Sequence, residues 1–311
     1  MNTPELIPFR IGKASPANTF LAIWMARAAG LYTAEGLDAE IIEMVGGSET
    51  GPALGSGHIH LMHIGMSSVV RANARGANVT TIGSLSNVVR STLFTAPSVK
   101  TATDLKGGIV GISSDGSESD LTTTLALTRL GLKRGDVTIK EIGVERLSPV
   151  RDGTVDATML GEPYRAQALA LGLNPIADLL ADQIPWLYSG LVVDQTYLKD
   201  NFDTVSRFMR ATVEGNYLAV SDAGRAKQVL AAELNLTDPE VTDITYANFR
   251  SATPINAEVT RAGAENIIAA VDLPDTSRDV DDYIDVTVFD RLTADGFYTA
   301  MEQKYRHDMP G

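Results

Sequence analysis

Apolar positions along this chain change their period repeatedly, and the changes mark out elements. Phe9 to Gly12 predicts a short strand, followed by a polar loop from Lys13 to Thr19. Phe20, Trp24, Ala28 and Leu31 then fall near helical spacing, with Gly30 placed to close the helix. Leu37 to Met44, carrying β-branched Ile41 and Ile42, predicts a second strand that runs into Gly46-Gly47-Ser48-Glu49, a turn whose serine suits a helix cap. Strand, glycine turn and helix recur through Ile59 to Ile64, Val79 to Ile82, Ile109 to Ile112, Val155 to Leu160 and Leu191 to Val193. This alternation predicts an α/β fold with layers of helix around largely parallel sheets. The last third reads as helix: Val205, Phe208, Met209, Thr212, Val213, Tyr217 and Val220 share one face, and a second helical run spans Arg225 to Leu234. These are packing helices.

Two stretches echo each other. Gly57-His58-Ile59-His60 leads through Ile64 to Gly65, and Gly153-Thr154-Val155-Asp156 leads through Leu160 to Gly161, with the same spacing between the glycines. Each block is a turn glycine, a buried strand and a second glycine where a new element begins, which suggests two lobes built on one plan.

Length and composition sharpen this picture. A chain of 311 residues suits two lobes, and 44% apolar with 21% charged residues is ordinary for a globular protein. A formal net charge of -13 argues against a nucleic-acid partner, which needs a basic footprint. With no cysteine, disulfides, thiolate metal sites, iron–sulfur clusters and cysteine nucleophiles are excluded. No stretch has the roughly 20 apolar residues of a membrane span. The start, Met1-Asn2-Thr3-Pro4-Glu5-Leu6, lacks the basic and apolar regions of a secretory signal.

In an open α/β sheet, ligands sit beyond the carboxyl ends of the strands, where helix N-termini present free N–H groups. Four loops have that character: Ala14 to Thr19, Gly46 to Glu49, Gly65 to Ser68, and Ser113 to Ser119. They supply the candidates Ser15, Asn18, Gly47, Ser48, Ser67, Ser114 and Ser117, although each serine equally suits a helix cap. The last loop lacks the Gly-Lys-Ser/Thr ending of a polyphosphate cradle and fits a single small headgroup better. Lys13 and Arg90 are the charged candidates, Arg90 suited to a bidentate contact with an anion or to an interlobe salt bridge. Glu162 and Tyr164 follow a strand, where a carboxylate accepts from an amine or heterocyclic N–H. Trp186 and Tyr188 suit either a wall for an aromatic group or the core. On a strand His58 and His60 share a face while His63 points away, so no metal site and no cofactor is expected.

Three motifs in order, Gly30-Leu31-Tyr32-Thr33-Ala34-Glu35-Gly36-Leu37-Asp38, then Asp104-Leu105-Lys106-Gly107-Gly108-Ile109-Val110-Gly111, then Gly153-Thr154-Val155-Asp156-Ala157 with Gly161-Glu162-Pro163-Tyr164, carry a specific likeness. The chain resembles the nitrate, sulfonate, taurine and thiamine-precursor family of ABC-importer binding proteins. The resemblance implies a type II periplasmic binding protein fold, two α/β lobes joined by a two-segment hinge. The first lobe would take residues 1–95 and 190–311 and the inserted second lobe 96–189, with crossings near Leu93 to Ala96 and Ser189 to Val193. Ser15, Ser48 and Ser67 would then face Ser117 and Glu162 across the cleft. It further implies a monomeric, non-enzymatic receptor that closes on a small polar or anionic organic molecule and docks transiently on a membrane permease. That role is periplasmic, or cytoplasmic if Met1 is the native start. Enzymes related to the family, thiamine-pyrimidine synthases and desulfinases, are the alternative; the resemblance implies a cysteine in both, and this chain has none, leaving Lys13 with His60 as a thin possibility. A ligand-sensing domain is weaker, as no output domain accompanies the lobes. His60 stands where the family usually carries Asp.

Overall fold

Short runs rich in β-branched and aliphatic residues build two five-stranded sheets in the computed structural model, which describes residues 5–44, 47–274 and 276–306. The first sheet has the order β2 (Leu37–Glu43), β1 (Ile7–Lys13), β3 (Leu61–Ile64), β10 (Pro185–Asp194), β4 (Val79–Val88). The second has the order β7 (Thr138–Glu141), β6 (Ile109–Ile112), β8 (Ala157–Leu160), β5 (Thr92–Thr95), β9 (Asn174–Asp178). β1 runs parallel to β2 and β3, while β10 is antiparallel to β3 and β4. β6 likewise runs parallel to β7 and β8, while β5 is antiparallel to β8 and β9.

Both sheets therefore follow one plan, in which the fourth strand runs against its neighbours and arrives from the other sheet. β5 follows β4 and β10 follows β9, so the chain passes between the sheets at residues 89–91 and 179–184. These passages lie a few residues ahead of the crossings expected at Leu93 to Ala96 and Ser189 to Val193. The paired glycine blocks find their counterpart here: β3 and β8 hold the same place in their sheets. Gly57 and Gly153, which open the two blocks, both adopt left-handed backbone, at φ 68° and 73°. β3 starts at Leu61 rather than Ile59, although the backbone N–H of His60 already donates to the carbonyl of Arg10 on β1.

The first lobe's core forms where the helix Leu21–Ala28 meets the long helix Phe202–Ser221 over the sheet. Phe9, Trp24, Phe208 and Tyr217 are buried there, and the Phe9 and Phe208 rings stack with centroids 4.8 Å apart. Burying each such ring contributes about 1.5–3 kcal/mol relative to leaving it exposed. Gly215 sets the approach of the two helices: a Cβ there would overlap the carbonyl oxygen of Ala22 and lie 2.9 Å from the backbone nitrogen of Ala26. Helix ends are capped from the sequence, as at Asp194, whose carboxylate accepts from the backbone N–H groups of Thr196 and Tyr197 at 2.9 and 3.0 Å. The C-terminal helices, from Pro239–Ala252 to Phe297–Tyr305, return to the first lobe, where Ile284 bridges to Thr81 of β4. Among the described residues no helix is long and apolar enough to cross a membrane.

Candidate functional site

Polar side chains of the two lobes meet in the gap beside the passages between the sheets, as Glu118 of the second lobe does with Trp186 and the Ser67 backbone of the first. Arg90, on the first passage, is 2% exposed. Its Nη2 donates to the carbonyl oxygen and Oδ1 of Asn248 at 2.5 and 2.6 Å, and its Nη1 to Thr253 Oγ1 at 3.0 Å. The helix Pro239–Ala252 thus holds the fork of the guanidinium by neutral oxygens. Arg90 Nε and Asn248 Nδ2 are buried with no hydrogen-bond partner in the protein. Burial pulls the Arg90 pKa down to about 10, with Glu162 and Tyr188 acting the other way.

Tyr188, on β10, sits between the lobes. Burial raises its pKa, and Glu118 adds to that rise while Ser91, Arg146 and Arg90 oppose it. Gly161 of the second lobe approaches the same place: a Cβ there would lie 3.4 Å from the Arg90 carbonyl oxygen and 3.6 Å from the Tyr188 hydroxyl. Arg146 comes from the second lobe, where its Nε donates to the carbonyl of Met159 at 3.2 Å. Burial lowers its pKa, and Tyr188, Tyr164 and Glu145 oppose that effect. Glu162 opens the turn into the helix Tyr164–Ala170, accepting from the Ala166 backbone N–H at 3.0 Å and from Arg165 Nη1 at 3.2 Å. Burial raises its pKa, while Ala166, Arg165 and Arg90 act against that.

Glu118, the first residue of the helix Glu118–Arg129, reaches from the second lobe into the first. Trp186 Nε1 of β10 donates to its Oε2 at 2.7 Å, and the Ser67 backbone N–H to its Oε1 at 3.4 Å. Gly65 permits this, since a Cβ there would overlap the carboxylate. Burial raises the Glu118 pKa against the opposing Ser67, Trp186 and Arg71.

The residues singled out from sequence divide clearly. Ser67 and Trp186 meet Glu118 of the other lobe, Gly161 approaches both Arg90 and Tyr188, and Glu162 and Tyr164 stand at the start of the helix Tyr164–Ala170. Ser117 caps the helix Glu118–Arg129 by accepting from the Asp120 N–H at 3.3 Å, and its hydroxyl lies 2.9 Å from those of Ser113 and Ser119. Asn18 is turned toward the helix Pro239–Ala252, donating to Thr245 O and Asn248 Oδ1, both at 2.9 Å. Lys13 pairs with Glu43 at 2.7 Å and lies over the Trp24 ring. Ser15 and Ser114 are exposed, and Gly47 packs on Ser68. Gly46 and the Ser48 side chain lie outside the described residues. Glu118, Arg146 and Asn248 were not among the sequence candidates.

The histidines are spread out. His60 Nδ1 accepts from the Arg10 backbone N–H at 3.0 Å and its ring stacks on Tyr197, while His63 lies buried with Nε2 3.3 Å from Thr19 Oγ1. His58 is exposed. Among the described residues no group of three His, Asp or Glu side chains is placed to hold a metal ion. A surface cavity of about 510 Å³ lies away from the gap, lined by Lys227, Asp243, Tyr246 and Arg250. Lys227 is neutralised there by Asp243 at 2.8 Å, and no buried unpaired donor faces it, so the gap is the better binding candidate.

Comparison with known proteins gives these groups a context. The family described as NMT1/THI5 like matches residues 17–226. The riboflavin-binding protein RibY of Chloroflexus aurantiacus is 26% identical over 210 residues, 64% of this chain and 58% of that protein. The 4-amino-5-hydroxymethyl-2-methylpyrimidine phosphate synthase of Schizosaccharomyces pombe is 28% identical over 158 residues, 50% of this chain and 44% of that protein. The chain thus spans about half the length of these curated relatives. Among solved structures, the periplasmic aliphatic sulphonate binding protein SsuA of Escherichia coli superimposes with a TM-score of 0.73 at 22% identity, covering 89% of this chain and 97% of that one. The fold is that of the periplasmic binding proteins, as the motif order implied.

Proposed function

The chain belongs to the NMT1/THI5-like family, and from that premise we propose that it is the substrate-binding component of an ABC importer, capturing a small polar organic molecule between its two lobes. The observation that carries this reading is the Arg90 guanidinium, buried between the lobes without a carboxylate bonded to it and with Nε unpaired. A buried charge and an unpaired donor are costly in a folded protein, by about 1–3 kcal/mol for the donor alone, and are retained where a ligand satisfies them. Arg146 and Tyr164 from the second lobe and Tyr188 from the first complete a lining drawn from both sides. A ligand touching both lobes favours the closed arrangement, and the passages at 89–91 and 179–184 are the two segments able to absorb the motion. In this role the protein works as a monomer in the periplasm and docks transiently on a permease.

Thermal denaturation with a panel of riboflavin, pyrimidines, aromatic carboxylates, alkanesulfonates and nitrate tests the reading. A ligand at a hundredfold excess over its Kd adds about 2.7 kcal/mol of stability, and calorimetry then measures the stoichiometry expected, one per chain. A panel without any shift in Tm counts against it.

The likeness to the fission yeast synthase favours a second reading, an enzyme acting on a pyrimidine-type substrate. Cysteine chemistry is closed to it. Lys13, the lysine singled out for such chemistry, is already committed to Glu43 and Trp24. Incubation of the purified protein with pyridoxal phosphate separates the two, since a lysine adduct absorbing in the visible would support the enzyme.

A further inference from the structure

The helix Met66–Ala74 begins at Gly65 with its first turn aimed at the gap, and the first amides of any helix lack intrahelical acceptors. Together with the partial positive charge of the helix end, such amides form an anion site. Here the surroundings strengthen it. The indole N–H of Trp186, the wholly buried Ser67 hydroxyl and the Arg71 side chain one turn along the same helix all border the same spot, and Arg71 Nε is buried without a partner. Every one of these donors belongs to the first lobe. The acceptor for two of them belongs to the second: the carboxylate of Glu118, bonded to the Trp186 indole and to the Ser67 backbone N–H at 2.7 and 3.4 Å.

We propose that Glu118 is a tethered anion that fills the first lobe's anion site on closure, bars free oxyanions from it, and selects a ligand presenting N–H donors at that end of the cleft. The inference rests on the cleft-binding reading and narrows its ligand class. An oxyanion entering beside Glu118 would meet a like charge, which is unfavourable. A neutral heterocycle or an amine meets the opposite situation. The Ser67 amide meets one carboxylate oxygen and the Trp186 indole the other, and a carboxylate oxygen has a second lone pair able to accept from an N–H group. Arg71 lies flush on Gly116 of the second lobe, where a Cβ would overlap its guanidinium, so its charge closes the outer side of the same contact. Arg90 brings a buried unpaired donor, Nε, to the lobe boundary, where a ligand acceptor would be needed instead. The cleft is thus polarised, with an acceptor beside Trp186 and a donor at Arg90.

Isothermal titration calorimetry on the full chain tests this, with ethanesulfonate and nitrate as anion probes and riboflavin and uracil as neutral N–H probes. The Glu118→Gln variant removes the charge while keeping the shape, and its fold is checked by circular dichroism. Glu118→Ser, which empties the site, serves as a second variant should the first fail to fold. The wild type is expected to bind neither anion, and the variant to bind at least one anion at least tenfold more tightly than the wild type does. Variants whose affinity for both anions stays within twofold of the wild type overturn the inference, as does a wild type that binds ethanesulfonate tightly. In the latter case cleft binding itself stands. A variant that gains an anion while the wild type binds neither neutral probe upholds the tethered-anion site and leaves the natural ligand to be sought among other N–H donors.

Discussion

One substitution made at two glycines separates helix preference from packing. Gly215 lies within the helix Phe202–Ser221 and Gly55 ends the helix Thr50–Gly55. By propensity alone, Gly→Ala in a helix interior gains about 1 kcal/mol. At Gly55 nothing lies within 4 Å of the new methyl, so Gly55→Ala should stabilise the protein by about 0.5–1 kcal/mol. At Gly215 the methyl overlaps the Ala22 carbonyl oxygen and meets Ala26 N and Cβ at 2.9 Å. Two of those atoms are backbone, so the helix Leu21–Ala28 must shift as a unit. Overpacking of this kind costs about 1–3 kcal/mol, and a rigid partner puts the cost at the upper end. The net expectation for Gly215→Ala is a loss of about 1–2 kcal/mol. Urea unfolding followed by circular dichroism reads both signs as opposite shifts of the midpoint at constant m. A Gly215→Ala protein as stable as the wild type would refute the packing argument and leave propensity in charge.

Two further outcomes follow from buried groups. His63 is held to a pKa of about 4 against an ordinary 6.5 by burial, so the unfolded chain takes up a proton that the folded one refuses. Stability should then fall as pH drops from 6.5 to 4, by about 3 kcal/mol at the acid end. His63→Gln should flatten that part of a pH series of urea midpoints, and equal slopes for both proteins would sink the account. Asp194→Ala removes the acceptor for two backbone N–H groups and should lower stability by about 1 kcal/mol, which Asp194→Asn should largely restore; calorimetric Tm values for the pair decide it.

Much of the framework was legible in the chain because it rests on local chemistry. Gly30 adopts φ 71° after the helix Leu21–Ala28, closing it as expected, while Leu31, read as part of that helix, begins the next one. The two glycine-strand-glycine blocks resolve into β3 and β8, equivalent strands of two sheets. Three strands were missed: β7 is Thr-Ile-Lys-Glu on an edge, β9 carries Pro175 and ends in Asp178, and β5, only Thr-Leu-Phe-Thr, was read as part of a crossing between the lobes. The site was harder for a different reason. Glu118 in sequence is an ordinary first-turn acid, and only the fold brings Trp186 to it. Asn248 is a polar residue on the buried face of the helix Pro239–Ala252, which only the fold reveals, and Arg146 lies in a polar stretch where a basic residue is unremarked. Conversely Asn18 and Lys13, prominent by position, spend their polar groups on Asn248 and Glu43.

The exchange of β5 and β10 between the sheets has a consequence for how the protein is made. β10 lies between β3 and β4, yet it is synthesised after every strand of the second sheet. A nascent chain that ends before Pro185 has all of β1 to β4, but β3 and β4 have no strand between them to pair with. The ribosome therefore releases an open edge that stays unpaired while the whole inserted lobe emerges. Such an edge is a template for wrong partners, and contacts so distant in sequence form slowly. The order of translation thus gives the second lobe the first chance to complete itself, except for the helices that later cover it, and makes the first lobe the one most in need of protection until its last helices arrive.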